Sequence, residues 1–196
     1  MKYLNNFFLI EKYLLLIPII ILKLFNLSKK DKRPSYYKSS IIDNVCALCS
    51  PCDYIIDNIY LGSCSGCSDF NLLKNKNIHY ICNISDNIPN FFEERLEYFN
   101  IKIKDNGIDF FTLDELEKSY DFIIKTQNKK KNILVHCFVG RSRSVTVLIY
   151  YLMKKYNFTI KESIIYLKNK RFYINPSINF ISNIQNIIKD GNKHFH

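Results

Sequence analysis

The sequence predicts an α/β domain, a mixed sheet of about five strands flanked by helices, in which a tight loop leaves a central strand and enters a helix. Three observations predict it. Ile133, Leu134 and Val135 form a short apolar run of strand character, and Val145 to Met153 is an apolar stretch long enough for a buried helix. Between them lies a loop, Cys137 to Arg143, that turns through Gly140. The 196 residues accommodate one such domain plus an appendage, and strand-like and helix-like segments alternate on both sides of the loop.

In chain order, residues 1–27 are a hydrophobic anchor or targeting segment. Tyr13 to Leu22 is uninterrupted apolar sequence, but at 1.5 Å per residue Tyr13 to Leu27 reaches only about 22 Å, short of the roughly 30 Å hydrocarbon core. Pro18, inside that stretch, breaks helical hydrogen bonding there. Three readings stay open: a membrane anchor or interfacial segment, a signal peptide without a small-x-small cleavage site, and a helix packed on the domain. Lys29, Lys30, Lys32 and Arg33 follow, a basic cluster suited to anionic lipid heads and to keeping this flank cytoplasmic. Residue 2 is Lys, which excludes N-myristoylation.

Residues 28–52 form a linker that is first basic and then rich in cysteine. Cys46, Cys49 and Cys52 are followed by Cys64 and Cys67. If Tyr54 to Ile56 and Ile59 to Leu61 pair about Asp57 and Asn58, Cys52 falls opposite Cys64, and Cys49, Cys52, Cys64 and Cys67 become candidate ligands of a structural zinc. S-acylation, a disulfide and plain thiols compete with that reading.

The domain proper is predicted over 53–190, with a short tail at 191–196. A short helix over Phe70 to Lys76 leads to a strand, Ile78 to Ile84, on which Cys82 is a core residue. Phe91 to Phe99 reads as a helix and Ile101 to Ile103 as a strand. A loop, DNGIDFFTLDE, carries Asp105 and Asp109. Thr112 with Glu115, and Thr159 with Glu162, are capping boxes that start helices running to about Gln127 and Asn169. A last helix, Ser177 to Asp190, has Ile178, Ile181, Ile184 and Ile188 at helical spacing and is core.

The central loop carries chemistry. A strand-to-helix loop aims backbone N–H groups and the helix dipole at one spot, which favours a dianion. Cys137 in that setting, beside His136 and Arg143, is favoured as thiolate and so as nucleophile. Gly140 permits a turn closed to residues with a Cβ, Arg143 offers a planar fork for two phosphate oxygens, and Ser144 can donate to the sulfur as it leaves. Together they describe phosphoryl transfer to sulfur followed by hydrolysis. A chance match to His136, Cys137, Gly140, Arg143 and Ser144, at about one in twenty each, is on the order of one in ten thousand.

HCFVGRSRS resembles the HC-x5-R[ST] signature of the cysteine-based protein tyrosine phosphatases, and the helix VTVLIYYLM resembles that of their dual-specificity branch. IYLGS at Ile59 to Ser63, ICNIS at Ile81 to Ser85 and RFYINPSINF at Arg171 to Phe180 extend the likeness over about Asp53 to Asp190. Ser177 and Asn183 depart from it, standing where that family more often has Asn and Gln. The resemblance implies a compact tyrosine-phosphatase-like fold and substrate binding by Phe138, Val139, Gly140, Arg141, Ser142 and Arg143. It implies no cofactor for catalysis. Asp105, 32 residues before Cys137 and just after a strand, takes the place of the family's general acid, with Asp109 as competitor.

The resemblance implies hydrolysis of phosphotyrosine and phosphoserine or phosphothreonine in phosphorylated proteins. Arg141 adds a second positive charge to the loop, so a phosphoinositide or phospholipid substrate is the alternative, and an inactive phosphoprotein-binding module is a third reading. The net charge of +10 fits an anionic substrate or an anionic membrane surface reached through the N-terminus, but no pattern reads nucleic-acid bases. The protein is expected in the cytoplasm, associated with membrane through its N-terminal segment. Sequence leaves its oligomeric state open.

Overall fold

Chain contacts separate Met1–Asn44 from Val45–His196. The computed structural model describes residues 50–190, all in the second unit, so the apolar N-terminal stretch, the basic flank, Cys46, Cys49 and the tail lie outside the described residues. Among the described residues no helix is long and apolar enough to cross a membrane.

The described elements are β1 (Cys52–Ile56), β2 (Ile59–Gly62), α1 (Cys64–Cys67), α2 (Phe70–Asn75), β3 (Ile78–Asn83), β4 (Glu97–Asn100), α3 (Leu113–Asn128), β5 (Asn132–His136), α4 (Arg143–Tyr156), α5 (Ile160–Lys170) and α6 (Ile178–Asp190). The strands form one sheet in the order β1-β2-β5-β3-β4. β1 and β2 are antiparallel, whereas β2, β5, β3 and β4 run parallel. The mixed five-stranded sheet expected from sequence is therefore present, with β5 at its centre.

Strand alternation divides the core in two. Ile133 and Val135 of β5, Ile59 and Leu61 of β2, and Tyr80 and Cys82 of β3 face one side, where Leu116 and Ile123 of α3, Leu167 of α5, Phe180, Ile181 and Ile184 of α6 and most of α4 cover them. Leu134 and Ile81 face the other side with Leu73 of α2 and Cys67 of α1. Ten consecutive residues of α4, Arg143 to Leu152, are buried, as suits a helix lying against the sheet beneath other helices.

Both capping boxes form as expected: the Thr112 and Thr159 hydroxyls each accept from the N3 backbone, and Glu115 and Glu162 reach back to the cap. The β1–β2 hairpin turns at Asp57 and Asn58, both left-handed with φ of 48° and 67°. Cys52 pairs with Gly62, not with Cys64, because Cys64 has already left the strand to open α1.

Two expectations between 91 and 103 are corrected. Phe91 to Phe99 is not a helix. Its last three residues belong to β4, which pairs with β3 from Tyr80–Glu97 to Asn83–Asn100, and Tyr98 and Phe99 pack on opposite faces of the sheet. Side-chain alternation and the open edge of β3 prevail over the helix-forming Glu-Glu-Arg run. Ile101 to Ile103 lies beyond the strand instead of forming it, although Ile101 N–H still donates to Asn83 O at 3.0 Å and both isoleucines are buried.

Thr159→Ala removes the hydroxyl that accepts from Glu162 N–H. It should lower unfolding free energy by about 1 kcal/mol in urea titration while leaving the turnover of folded protein unchanged.

Candidate active site

β5 and β3 are parallel neighbours paired through Asn83 and His136, and Ile84 N–H donates to His136 O at 2.8 Å. Their carboxyl ends therefore open on the same edge, where parallel α/β sheets place ligand sites. The chain leaves β5 at His136, runs through Cys137 to Ser142 and enters α4 at Arg143, one residue earlier than expected.

Gly140 shapes this loop. Its φ is +73°, and a Cβ there would lie 2.3 Å from Gly62 O, so both the left-handed backbone and the closeness of β2 exclude a side chain. Around it the loop's outer surface is tied down. Phe138 O accepts from Cys64 N–H at 3.0 Å, and Arg141 O accepts from Asn175 N–H at 2.9 Å. The Ser142 hydroxyl accepts from Ser177 N–H at 3.0 Å and makes no capping bond to α4. The first-turn N–H groups thus lack a side-chain cap at the place where the helix dipole favours an anion.

Cys137 is 2% exposed. Gly140 N–H donates to its sulfur at 3.2 Å and the Ser144 hydroxyl at 3.3 Å. Burial pushes the thiol up, but the Arg143 guanidinium and the bonds from Ser144 and Gly140 outweigh it and leave the pKa below its ordinary value. Arg143 is held by one bond, Nη1 to Ile103 O at 3.0 Å, and its Nη1 faces Asp86 Oδ1 at 3.6 Å. Its buried Nε has no hydrogen-bond partner among the described residues. A guanidinium so held, with an unspent donor beside a thiolate, is suited to gripping phosphate oxygens.

His136 acts differently from the expectation. It is fully buried, and burial drives its pKa down to about 4, so it is neutral at pH 7 and lends Cys137 no positive charge. Its Nδ1 lies 3.3 Å from Cys137 O, and because a carbonyl only accepts, the proton sits on Nδ1. The ring fixes the cysteine's backbone instead of its charge.

The two loop aspartates separate. Asp109 is engaged: Oδ2 accepts from Lys104 N–H at 2.9 Å and Oδ1 from Asn106 Nδ2 at 3.1 Å, and these bonds hold its pKa below the usual carboxylate range. These bonds make Asp109 part of the turn. Asp105 is exposed on the same loop, which Ile103 O ties to Arg143. Arg141 is 7% exposed, so its charge lies within the loop's packing. Asn183 accepts from Phe111 N–H at 2.9 Å, so the substitution there keeps a bond between α6 and this loop.

Among the described residues no group of three or more metal-binding side chains assembles, and Cys52, Cys64 and Cys67 are free thiols. Cys52 is buried at the strand edge, and the Cys67 thiol donates to Cys64 O at 3.3 Å, so the structural zinc gains no support; Cys49 lies outside the described residues. Sequence reasoning missed Asp86. The only available signal was an acidic residue just past a strand end, and its meaning depends on β3 lying beside β5.

Residues 59–189 match the family model described as the dual specificity phosphatase catalytic domain. Dual specificity protein phosphatase 1 of Arabidopsis thaliana is 31% identical over 138 residues, covering 69% of this chain and 68% of that one. Dual specificity protein phosphatase 7 of Homo sapiens is 35% identical over 136 residues, covering 66% of this chain but only 31% of its own length. In fold, the chain is similar to the human tyrosine phosphatase-like serine/threonine/tyrosine-interacting protein, with a TM-score of 0.68 and 23% identity over 72% of this chain and 98% of that one.

Iodoacetamide at neutral pH should alkylate Cys137 ahead of Cys64, which burial pushes up to about 11. The Cys137 rate should fall as pH drops through its depressed pKa, and Arg143→Ala should move that midpoint up toward the ordinary 9.0. Peptide mapping of the alkylated protein checks both.

Proposed function

The chain belongs to the dual specificity phosphatase family, and on that premise we propose that it hydrolyses phosphotyrosine and phosphoserine or phosphothreonine in proteins through a phosphocysteine intermediate. The observation that carries the reading is the Cys137 thiol, which accepts from Gly140 and Ser144 and is held below its ordinary pKa beside Arg143. The phosphate dianion sits against the loop N–H groups and the Arg143 fork. The Cys137 sulfur attacks phosphorus, the P–O ester bond breaks, and the leaving oxygen takes a proton from Asp105. Water then attacks the phosphocysteine, Asp105 takes its proton, and the S–P bond breaks to release inorganic phosphate. The Ser144 hydroxyl stabilises the departing thiolate. No metal or cofactor is needed for these steps.

Asp105 takes the acid role in this reading because Asp109 is bound to the loop backbone and held ionised, whereas Asp105 is exposed. The N-terminal segment is assigned to membrane association on its sequence: an apolar stretch followed by Lys29, Lys30, Lys32 and Arg33. Loss of membrane partitioning on deletion of residues 1–28 supports that assignment, and unchanged partitioning refutes it.

Phosphotyrosine and phosphothreonine peptides should both be hydrolysed faster than phosphoinositide vesicles, and Cys137→Ser should retain peptide binding with no turnover. Preference for vesicles would transfer the reading to a lipid phosphatase. Asp105→Asn should slow aryl phosphates with poor leaving groups by about 10²–10⁴-fold and those with good leaving groups much less. An equal loss for both would remove Asp105 from the acid role.

A further inference from the structure

Arg171 follows α5 and is 1% exposed, the largest fully buried side chain among the described residues. It meets the signature loop at backbone carbonyls and takes no part in the phosphoryl transfer itself. Its Nε donates to Gly140 O at 3.1 Å and its Nη2 to Val139 O at 3.4 Å. The guanidinium also donates to Leu61 O and Ser50 O, and it lies 4.5 Å over the Tyr173 ring. Its counter-charge is Asp53 of β1, with Nη1 to Oδ2 at 2.5 Å.

Peptide geometry links these bonds to the nucleophile. Val139 C=O and Gly140 N–H are the two ends of one planar trans unit and point in opposite directions, and no peptide bond among the described residues is cis. A donor that pulls Val139 O outward therefore turns Gly140 N–H inward, where it meets Cys137 Sγ at 3.2 Å. In the same way Arg171 Nε on Gly140 O turns Arg141 N–H toward the anion site. One planar fork fixes two successive peptide units, which the ammonium of a lysine cannot reproduce.

We propose that Arg171, held by Asp53, is a positioning residue that sets the inward N–H groups of the loop, and through them the Cys137 thiolate and the affinity for the phosphate dianion. The proposal rests on the phosphatase reading and extends it to β1: Ser50 and Asp53 precede residue 59, where the family match begins, yet they anchor the fork that shapes the site. The smallest unit with full activity therefore begins before Ser50, not at β2.

The test uses the full chain carrying Arg171→Lys or Asp53→Asn and reads the loop without turnover. The pH dependence of Cys137 alkylation gives the thiolate midpoint, and protection from alkylation by inorganic phosphate gives a dissociation constant. Arg171→Lys should raise the midpoint by about one pH unit and weaken phosphate binding about tenfold. Asp53→Asn, a near-isosteric change on a partly exposed residue, should shift both in the same direction by about threefold. If Arg171→Lys does not fold, Asp53→Asn decides alone. Lowered thermal stability with both quantities within twofold of the parent overturns the proposal, since a merely structural contact would have that effect. Neither reading needs a phosphoprotein substrate, so failure of the parent to hydrolyse one would be seen separately.

Discussion

The direction of four carbonyls governs the chemistry of this protein. Phe138 O is taken by Cys64 N–H, Val139 O and Gly140 O by the Arg171 guanidinium, and Arg141 O by Asn175 N–H. A carbonyl held in this way turns the N–H at the other end of its peptide unit to the opposite side, as Gly140 N–H does in meeting Cys137 Sγ at 3.2 Å, and in the proposed function this readies the loop for an anion. The donors come from α1, from the end of α5 and from the segment before α6, with β1 holding the arginine. The scaffold around the sheet thus serves to fix four peptide planes, and preorganised donors of this kind cost no reorganisation during reaction.

The same loop resolves an electrostatic conflict. Complete burial of Cys137 among the core side chains opposes ionisation, and Arg143, Ser144 and Gly140 reverse that opposition. His136 stays neutral and adds geometry only. Arg143, whose charge favours the Cys137 thiolate, also faces Asp86, 3.6 Å away and partly exposed. That distance is too long for a firm hydrogen bond, so the pairing steadies the guanidinium while leaving it free to engage a substrate dianion.

How much of this is legible in sequence follows from how local each constraint is. His136 to Ser144 lie within nine consecutive residues, and both capping boxes within four, so their chemistry can be read directly. The rival aspartates were separable only in part, because the bonds that engage Asp109 depend on the folded turn. Where a helix is expected over Phe91 to Phe99, the chain instead forms β4 from Glu97 on, a strand that exists only through pairing with β3. Asp86 and Arg143 are 57 residues apart, and Asp53 and Arg171 118, so nothing local signals that either pair meets. The cysteine spacing suggested a zinc site, but Cys64 turns into α1 where a longer strand would have placed it opposite Cys52.

The central claim is that the buried Cys137 sulfur receives the phosphoryl group. Acid quenching during steady-state hydrolysis of a phosphotyrosine peptide, followed by mass spectrometry of the digested protein, tests it most directly. The account predicts a phosphoryl adduct on the peptide that contains Cys137, accumulating in Asp105→Asn when an aryl phosphate with a good leaving group is the substrate, since its transfer to sulfur needs little acid help while water attack is slowed. Turnover that proceeds with no adduct there, or with an adduct on another residue, would contradict it.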